Sequence, residues 1–225
     1  MANVLSSDGN IFKIYLHTGF SSTISNSFSS PSTWPGGISW DGTNILSDDD
    51  YSDKIYLHTG FSTTISNSFS GPSTGAHGVS WDGSNLLSTD YVAGKIYLHT
   101  GFSSTISNSF SGPSTTPINP TWDGTNVLSS DDISDKIYLH TGFSSTISNS
   151  FSSPSSQSRG IYWDGANLAS NDQLLYKIFL HTGFSSTISN SFSSPSTYPT
   201  GLEWDDRVFF GRFPKGSYYP HILAH

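Results

Sequence analysis

The 225-residue chain contains no cysteine and few charged residues, since only 12% are Asp, Glu, Lys or Arg. Without cysteine it forms no disulfide and no thiolate metal site, and cysteine usage says nothing about the redox compartment. No apolar run approaches the roughly 20 residues of a membrane-spanning helix. The first ten residues also lack the pattern of a secretory signal peptide. The sequence therefore leaves the localisation open.

Basic residues are scarce as well: there are nine Lys and Arg against 17 Asp and Glu, for a net charge of −8. Five of the nine occupy one position of a repeat, namely Lys13, Lys54, Lys95, Lys136 and Lys177. They are spread evenly and form no basic patch. We therefore expect neither nucleic acid nor an anionic membrane as a partner.

What the chain does have is a repeat of 41 residues without gaps. Its units are 13–53, 54–94, 95–135, 136–176 and a last one, 177–213. A Trp-Asp pair keeps the same spacing at Trp40, Trp81, Trp122, Trp163 and Trp204. A fixed period near 40 residues with strand-like, turn-rich content is typical of β-propeller blades.

Each unit contains four short strand signals divided by turn residues. In the first complete unit we predict strand A at 37–40, strand B at 45–47, strand C at 54–58 and strand D at about 64–70. Asp41-Gly42 between strands A and B is a strong tight-turn dipeptide. Gly71-Pro72 ends strand D before the next strand A.

The phase of the repeat predicts how the ring closes. Residues 3–7 match strand B, so the chain supplies B, C and D of a blade before its first strand A, and its fifth strand A is 201–204. We predict one all-β domain over 1–225: a five-bladed β-propeller of four-stranded blades. Its closing blade combines residues 3–28, most of 1–12 among them, with strand A at 201–204. Residues 206–225 are predicted to form an atypical tail. We expect a monomer, with strand exchange between chains as the alternative because the blades are nearly identical.

The string Gly-Ile-x-Trp-Asp-Gly-x-Asn-Leu-x-Ser-x-Asp, followed by Lys-Ile-Tyr, resembles the repeats of NHL-type and SMP-like propellers in every unit. This resemblance implies a propeller, in a superfamily that contains scaffolds, lyases and hydrolases. The five-blade count and the Trp-Asp pair also resemble tachylectin-type lectins.

Comparison of the five units shows where they differ. The stretch from the strand C lysine to the proline after strand D is almost constant, whereas the residues before strand A and in the B–C turn vary. In an up-and-down meander both variable segments lie on one face. We therefore predict one composite ligand site at that mouth of the axial channel. Its candidate contacts are Trp34, Tyr51, His77, Tyr91, Arg159, Tyr162, Tyr198 and Glu203. The alternative is that exposed loops drift faster than packed strands after a recent duplication.

Three repeated residues are interpreted as structural. The histidines lie too far from the axis to share a metal, so we expect them to pair within or between blades: His17, His58, His99, His140 and His181. The aspartates that end strand B are expected to cap their own turns, with a Ca²⁺-binding ring as the alternative: Asp8, Asp49, Asp90, Asp131 and Asp172. The repeated tryptophans are expected in the core between blades, with sugar stacking as the alternative.

No catalytic motif stands out: there is no Gly-x-Ser-x-Gly elbow and no phosphate-binding glycine loop. We therefore expect a non-catalytic scaffold or binding propeller, amplified from one blade, without cofactor or metal. Its partner would be a small molecule, a glycan or a protein. The alternatives are a multivalent lectin and a metal-dependent SMP-like hydrolase.

Overall fold

A computed structural model describes residues 3–205, which form twenty strands in five four-stranded antiparallel sheets. The closing blade contains β1 (Asn3–Asp8), β2 (Lys13–His17), β3 (Ile24–Ser29) and, from the other end of the described chain, β20 (Pro199–Asp205). Blade 1 contains β4 (Pro35–Trp40), β5 (Ile45–Asp49), β6 (Lys54–His58) and β7 (Ile65–Ser70). Blade 2 contains β8 (Ala76–Trp81), β9 (Leu86–Asp90), β10 (Lys95–His99) and β11 (Ile106–Ser111). Blade 3 contains β12 (Pro117–Trp122), β13 (Val127–Asp131), β14 (Lys136–His140) and β15 (Ile147–Ser152), and blade 4 contains β16 (Ser158–Trp163), β17 (Leu168–Asp172), β18 (Lys177–His181) and β19 (Ile188–Ser193).

The predicted five-bladed propeller is confirmed, including its closure. In the closing blade β20 pairs with β1 antiparallel, with Val4 opposite Trp204 and Leu5 opposite Glu203. Strands A and B are longer than predicted, because A begins about two residues earlier and B continues through the aspartate that ends it. The predicted tail, 206–225, lies outside the described residues. Between residues 3 and 205 there is no helix that could span a membrane.

The core is divided into five layers between neighbouring blades. In one layer Leu5 and Ile14 of the closing blade pack with Ile38 and Ile45 of blade 1, and each is at most 1% exposed. The other four layers repeat this arrangement. Since every blade is covered on both sides, its second strand is buried along its whole length, as in β5, and its third strand is partly buried, as in β6.

The inner strands approach one another closely around the axis. A β-carbon added to Gly78 would lie 2.3 Å from the carbonyl oxygen of Ile118 in the next blade, and one on Gly37 would lie 2.5 Å from the amide nitrogen of Val79. No side chain fits in so small a gap, so glycine allows this contact between backbones. Position 119 departs from the series, because there the residue is a buried asparagine.

The outer strand of each blade is the exposed edge of its sheet. In β3 the side-chain oxygen of Asn26 accepts a hydrogen bond from the Ser27 amide at 2.8 Å, and Ser25 Oγ donates to the Leu16 carbonyl at 3.0 Å. The Asn contact recurs with the same length in all five outer strands. Each exposed edge therefore satisfies one of its own backbone donors.

Candidate functional site

Two cavities lie on the propeller axis, one at each mouth, and residues from all five blades or their connecting loops form their walls. The loop-side cavity has a volume of about 250 Å³ and is lined by the loops before strand A and the B–C turns. The tryptophan-side cavity, of about 200 Å³, is lined by the ends of the inner strands and the Asp-Gly turns. The two linings share no residue.

The wall of the loop-side cavity contains a position at which all five units differ. The second residue of strand A, or the residue equivalent to it, faces the cavity in every blade: Gly36, His77, Ile118, Arg159 and Thr200. Aromatic side chains complete the wall. Trp34 and Tyr198 meet edge to face with ring centroids 5.5 Å apart, and His77 and Tyr91 do so at 5.9 Å. A conserved scaffold thus presents five different side chains to one axial space.

The loop-side cavity contains one ion pair, Arg159 with Asp132, and one hydrogen-bonded pair, Asp50 with Tyr91. Arg159 Nη1 lies 3.1 Å from Asp132 Oδ2, in an ion pair between blades 4 and 3. Burial raises the pKa of Asp50 to about 6, and the hydrogen bond from Tyr91 opposes that shift. Burial, assisted by the charge of Arg159, lowers the pKa of His77 to about 4. At neutral pH His77 is therefore an uncharged group beside an ion pair and a carboxylate.

Several buried polar atoms in the wall of the loop-side cavity have no hydrogen-bond partner among the described residues. Among the described residues, four buried atoms of the lining have no protein partner: His77 Nδ1, Asp50 Oδ1, Asp132 Oδ1 and Arg159 Nε. Buried polar atoms are nearly always paired with protein, water or ligand. A wall with both donors and acceptors unpaired is suited to a molecule that also carries both.

The tryptophan-side cavity has a ring of indoles. All five repeated tryptophans line it, and each is half-buried while it packs on one of the core layers. They are therefore core residues, as expected, but they also face a common axial space. Sugar stacking at five separate, equivalent sites has no support from this arrangement, because the indoles converge on one cavity.

One position of the tryptophan-side cavity varies although its surroundings repeat. The residue before each tryptophan is Ser39, Ser80, Thr121, Tyr162 or Glu203. Ser39 Oγ donates to Glu203 Oε2 at 2.7 Å and accepts from the Trp81 amide at 2.9 Å. The Trp204 amide donates to Glu203 Oε1 at 2.9 Å. The carboxylate, only 5% exposed, is thus held between its own blade and blade 1, and Ser39 is in turn held by blade 2.

The structure places the eight predicted contacts in three locations. Trp34, His77, Tyr91, Arg159 and Tyr198 line the loop-side cavity together, as expected. Tyr162 and Glu203 line the opposite mouth instead. Strand A runs along the axis at about 3.3 Å per residue, so its last residues lie far from its first ones. Tyr51 lines neither cavity, because the B–C turn holds its side chain outward with 76% of its surface exposed.

Sequence comparison within the chain overlooked two features. Asp50 and Asp132 belong to carboxylate clusters of the variable B–C turns and were not among the predicted ligand contacts, although they line the loop-side cavity. The residue before each tryptophan is also variable, but it was not predicted to line a separate cavity. Both signals are visible in an alignment of the five units, one column at a time.

The repeated histidines pair within their blades, as expected. Each Nε2 lies 2.9 Å from the hydroxyl of a serine on the neighbouring strand B, for example His58 with Ser47. His58 Nδ1 lies 2.9 Å from the Ser62 carbonyl, which can only accept, so Nδ1 donates and Nε2 accepts from the serine. Burial lowers the pKa of each repeated histidine to about 4.

The aspartates that end strand B cap turns, as expected. Asp49 Oδ1 accepts from the Ser52 amide at 2.8 Å, and the other four make the equivalent contact. Their second oxygen accepts from the loop before strand A, as in the 2.6 Å bond from Ser114 to Asp131. These carboxylates therefore join the two variable segments. Within residues 3–205 no group of three or more His, Asp or Glu side chains is placed to hold a metal ion.

The chain matches no family model and no curated protein. Among solved structures it is similar to the crystal structure of Myxococcus xanthus glutaminyl cyclase, with a TM-score of 0.62 and 10% identity over 85% of this chain and 74% of that one. At this identity the likeness shows the propeller fold alone. The resemblance to NHL, SMP-like or tachylectin repeats is not confirmed by any match.

Proposed function

We propose that the chain is a non-catalytic binding propeller that takes one small, hydroxyl-rich ligand, such as the terminal unit of a glycan, in the loop-side cavity. The observation that carries this proposal is the distribution of differences between units. Nearly identical blades carry five different residues at one position that lines this cavity in every blade. Loops carried on a rigid scaffold are where binding residues concentrate.

Size limits the ligand. Pockets for drug-sized molecules measure about 300–1,000 Å³, and this cavity measures about 250 Å³. A single sugar ring or a comparable polyol suits such a space, whereas an extended oligosaccharide or a peptide would enter only with its end.

The chemistry of the wall favours a hydroxyl-rich molecule over a charged one. Arg159 and Asp132 neutralise each other, and His77 is uncharged at neutral pH. The groups that lack partners include both donors and acceptors, and hydroxyl groups supply both. Trp34, Tyr91 and Tyr198 offer apolar surface for the C–H face of a sugar.

The same wall argues against catalysis by a covalent route. Within the described chain, the lining has no serine, cysteine or lysine, three of the nucleophiles that form covalent intermediates. Thr200 Oγ1 is already engaged with the Pro35 carbonyl at 2.7 Å. Asp132 is held by Arg159, so it is not an independent partner for Asp50 in acid–base work.

A panel of free monosaccharides and polyols at millimolar concentration, followed by ligand-observed NMR and calorimetry, tests the proposal. We expect at least one member to bind with one molecule per chain. Arg159→Gln and Asp50→Asn should abolish binding, while the control Tyr51→Ser, in the same type of turn but outside the cavity, should not change it.

Failure of every sugar and polyol, or binding that survives both cavity variants, would reject the proposal. The two alternatives give different results. A multivalent lectin predicts about five equivalent molecules per chain. A metal-dependent hydrolase predicts a stoichiometric metal ion in protein prepared without chelator.

A further inference from the structure

We propose that the tryptophan-side cavity is a second binding site, specific for an organic cation with a methylated ammonium group. It does not depend on the function proposed for the opposite mouth, because the two cavities share no lining residue. Three features of this mouth support it: the aromatic wall, the fixed carboxylate and the local loss of symmetry.

Aromatic residues are the largest group in the wall of this cavity. Five indoles and the phenol ring of Tyr162 line a space of about 200 Å³. The Tyr162 and Trp204 rings are nearly parallel, at 7° with centroids 6.5 Å apart. The faces of aromatic rings carry negative potential and attract cations, tryptophan most strongly. Methylated ammonium groups suit such walls because their surface is apolar while their charge is retained.

The charge of the mouth has the matching sign. Glu203, Asp41 and Asp82 line the cavity, and none of its described lining residues is Lys, Arg or His. Glu203 accepts hydrogen bonds from Ser39 Oγ and the Trp204 amide, so its carboxylate is fixed in place before any ligand arrives. Because it is 95% removed from solvent, its field acts through a medium of low dielectric constant.

Local asymmetry indicates a particular ligand rather than a generic channel opening. Tyr162 and Glu203 replace the small hydroxyl residues that three other blades have at the same position. They belong to neighbouring blades, so one side of the ring carries both the additional aromatic ring and the buried charge. A symmetric structural plug would not need this pair.

The two aspartates of the lining contribute less than Glu203. Asp41 Oδ1 accepts from the amides of Thr43 and Asn44 at 2.7 and 2.6 Å, so this oxygen caps the turn. Asp82 caps its own turn in the same way. They add negative potential at the rim, whereas Glu203 provides the charge inside.

The test compares choline with 3,3-dimethylbutan-1-ol, its uncharged carbon isostere, on the full-length protein. Tryptophan fluorescence is a direct readout because five of the six tryptophans line this cavity. Trp34→Phe removes the remaining one, at the other mouth, and serves as the parent for all measurements. We expect choline to change the fluorescence saturably and to bind at least about tenfold more tightly than the isostere.

Two substitutions in this parent locate the site. Glu203→Gln keeps the size of the side chain and removes its charge, and should weaken choline about tenfold or more while leaving the isostere unchanged. Arg159→Gln, at the opposite mouth, should leave choline binding unchanged.

Equal binding of choline and its isostere would overturn the proposal, as would the absence of any saturable choline response. That comparison needs no cavity substitution, so it stands even if Glu203→Gln does not fold. If choline binds but no sugar or polyol does, only the function proposed for the loop-side cavity is rejected.

Discussion

Asp48 is expected to destabilise the protein, and replacing it with threonine should stabilise it. In the other four blades the equivalent side chain donates a hydrogen bond to a strand A carbonyl of the next blade. The four bonds are Ser7 to Gly36 at 2.8 Å, Thr89 to Ile118 at 2.6 Å, Ser130 to Arg159 at 2.6 Å and Asn171 to Gly201 at 3.1 Å. A carboxylate cannot donate this bond.

The surroundings of Asp48 fit this interpretation. Its side chain is 1% exposed, and within the described residues neither carboxyl oxygen makes a hydrogen bond of good geometry. The nearby Gly37 amide only partly opposes the effect of burial on its pKa. A β-carbon on Gly36 would lie 2.4 Å from Asp48 Oδ2 and 2.6 Å from the carbonyl oxygen of His77, so these two oxygens lie on the same side of Gly36. Burial, followed by the negative charge of Asp50, raises the pKa of Asp48 well above its ordinary value.

The magnitude follows from the hydrogen bond that Asp48 does not make. A buried polar group without its hydrogen-bond partner costs about 1–3 kcal/mol, and more when the group is charged. A threonine hydroxyl would make the bond that Thr89 makes in blade 2. We expect Asp48→Thr to raise the free energy of unfolding by about 1–3 kcal/mol, equivalent to roughly 2–12 °C in Tm for a chain of this size.

Thermal melts of the wild-type and Asp48→Thr proteins at pH 6, 7 and 8 provide the assay. A carboxyl whose folded-state pKa is raised loses stability as the pH rises from its unfolded pKa to its folded pKa. The Tm difference between the two proteins should therefore widen or stay level with rising pH, and never narrow. Ser130→Asp, which places a carboxylate at the equivalent position of blade 3, should lower Tm by a similar amount.

An Asp48→Thr protein that is no more stable than the wild type at pH 7 would refute this reasoning. A Tm difference that shrinks as the pH rises would also refute it, because the sign of the proton linkage would then be wrong. A neutral effect of Ser130→Asp would show that the position tolerates a carboxylate.

Three further predictions follow from the fold. The five repeated histidines have pKa values lowered to about 4, so they contribute stability that is fully present above about pH 6.5. That stability is lost on acidification from pH 6.5 to pH 4, and with five protons the loss is roughly 7 kcal/mol per pH unit. A urea titration series that finds no loss of stability between pH 7 and 5 would contradict this prediction. Gly78→Ala should lower the free energy of unfolding by about 1–3 kcal/mol, because the new β-carbon would lie 2.3 Å from a carbonyl oxygen. Asn119→Ala, at the equivalent position of blade 3, should be tolerated. Equal Tm values for the two variants would disprove the close contact. Deletion of 196–225 removes β20, leaves one edge of β1 unpaired and should cause aggregation in light scattering. Deletion of 214–225, outside the described residues, should be milder, and equal damage would contradict the assignment of ring closure to β20.

The fold was predictable from sequence because a repeat multiplies a weak signal. One Trp-Asp-Gly turn says little, but five at a fixed spacing set the strand order, and the position of residues 3–7 within the unit predicts that β20 completes the closing blade. Strand ends were less predictable, since Pro35 at the start of β4 reads as a turn residue although it lies opposite Asp49 in the sheet. That pairing depends on the carboxylate that joins loop and turn, which is a tertiary contact.

The candidate site was predictable only in part. Variation within the chain pointed to the loop-side mouth, and five of the eight candidates line its cavity. Tyr162 and Glu203 also occupy a variable position, but they lie at the other end of strand A. Assigning them to the correct mouth requires the direction of strand A relative to the axis. The contact between Arg159 and Asp132 joins two blades and appears in no local pattern. The unusual position of Asp48 likewise became visible only when its four counterparts were seen to donate hydrogen bonds.

The asparagine of each outer strand has a consequence for how the protein behaves at high concentration. Exposed sheet edges usually resist fibril-like stacking by electrostatic repulsion, which salt weakens. Here the Asn26 amide and its four counterparts occupy a backbone donor that an incoming strand would need. This protection uses a hydrogen bond and no charge, so it should persist at high ionic strength. Resistance to edge-to-edge association in high salt would then depend on five neutral side chains at the periphery of the ring.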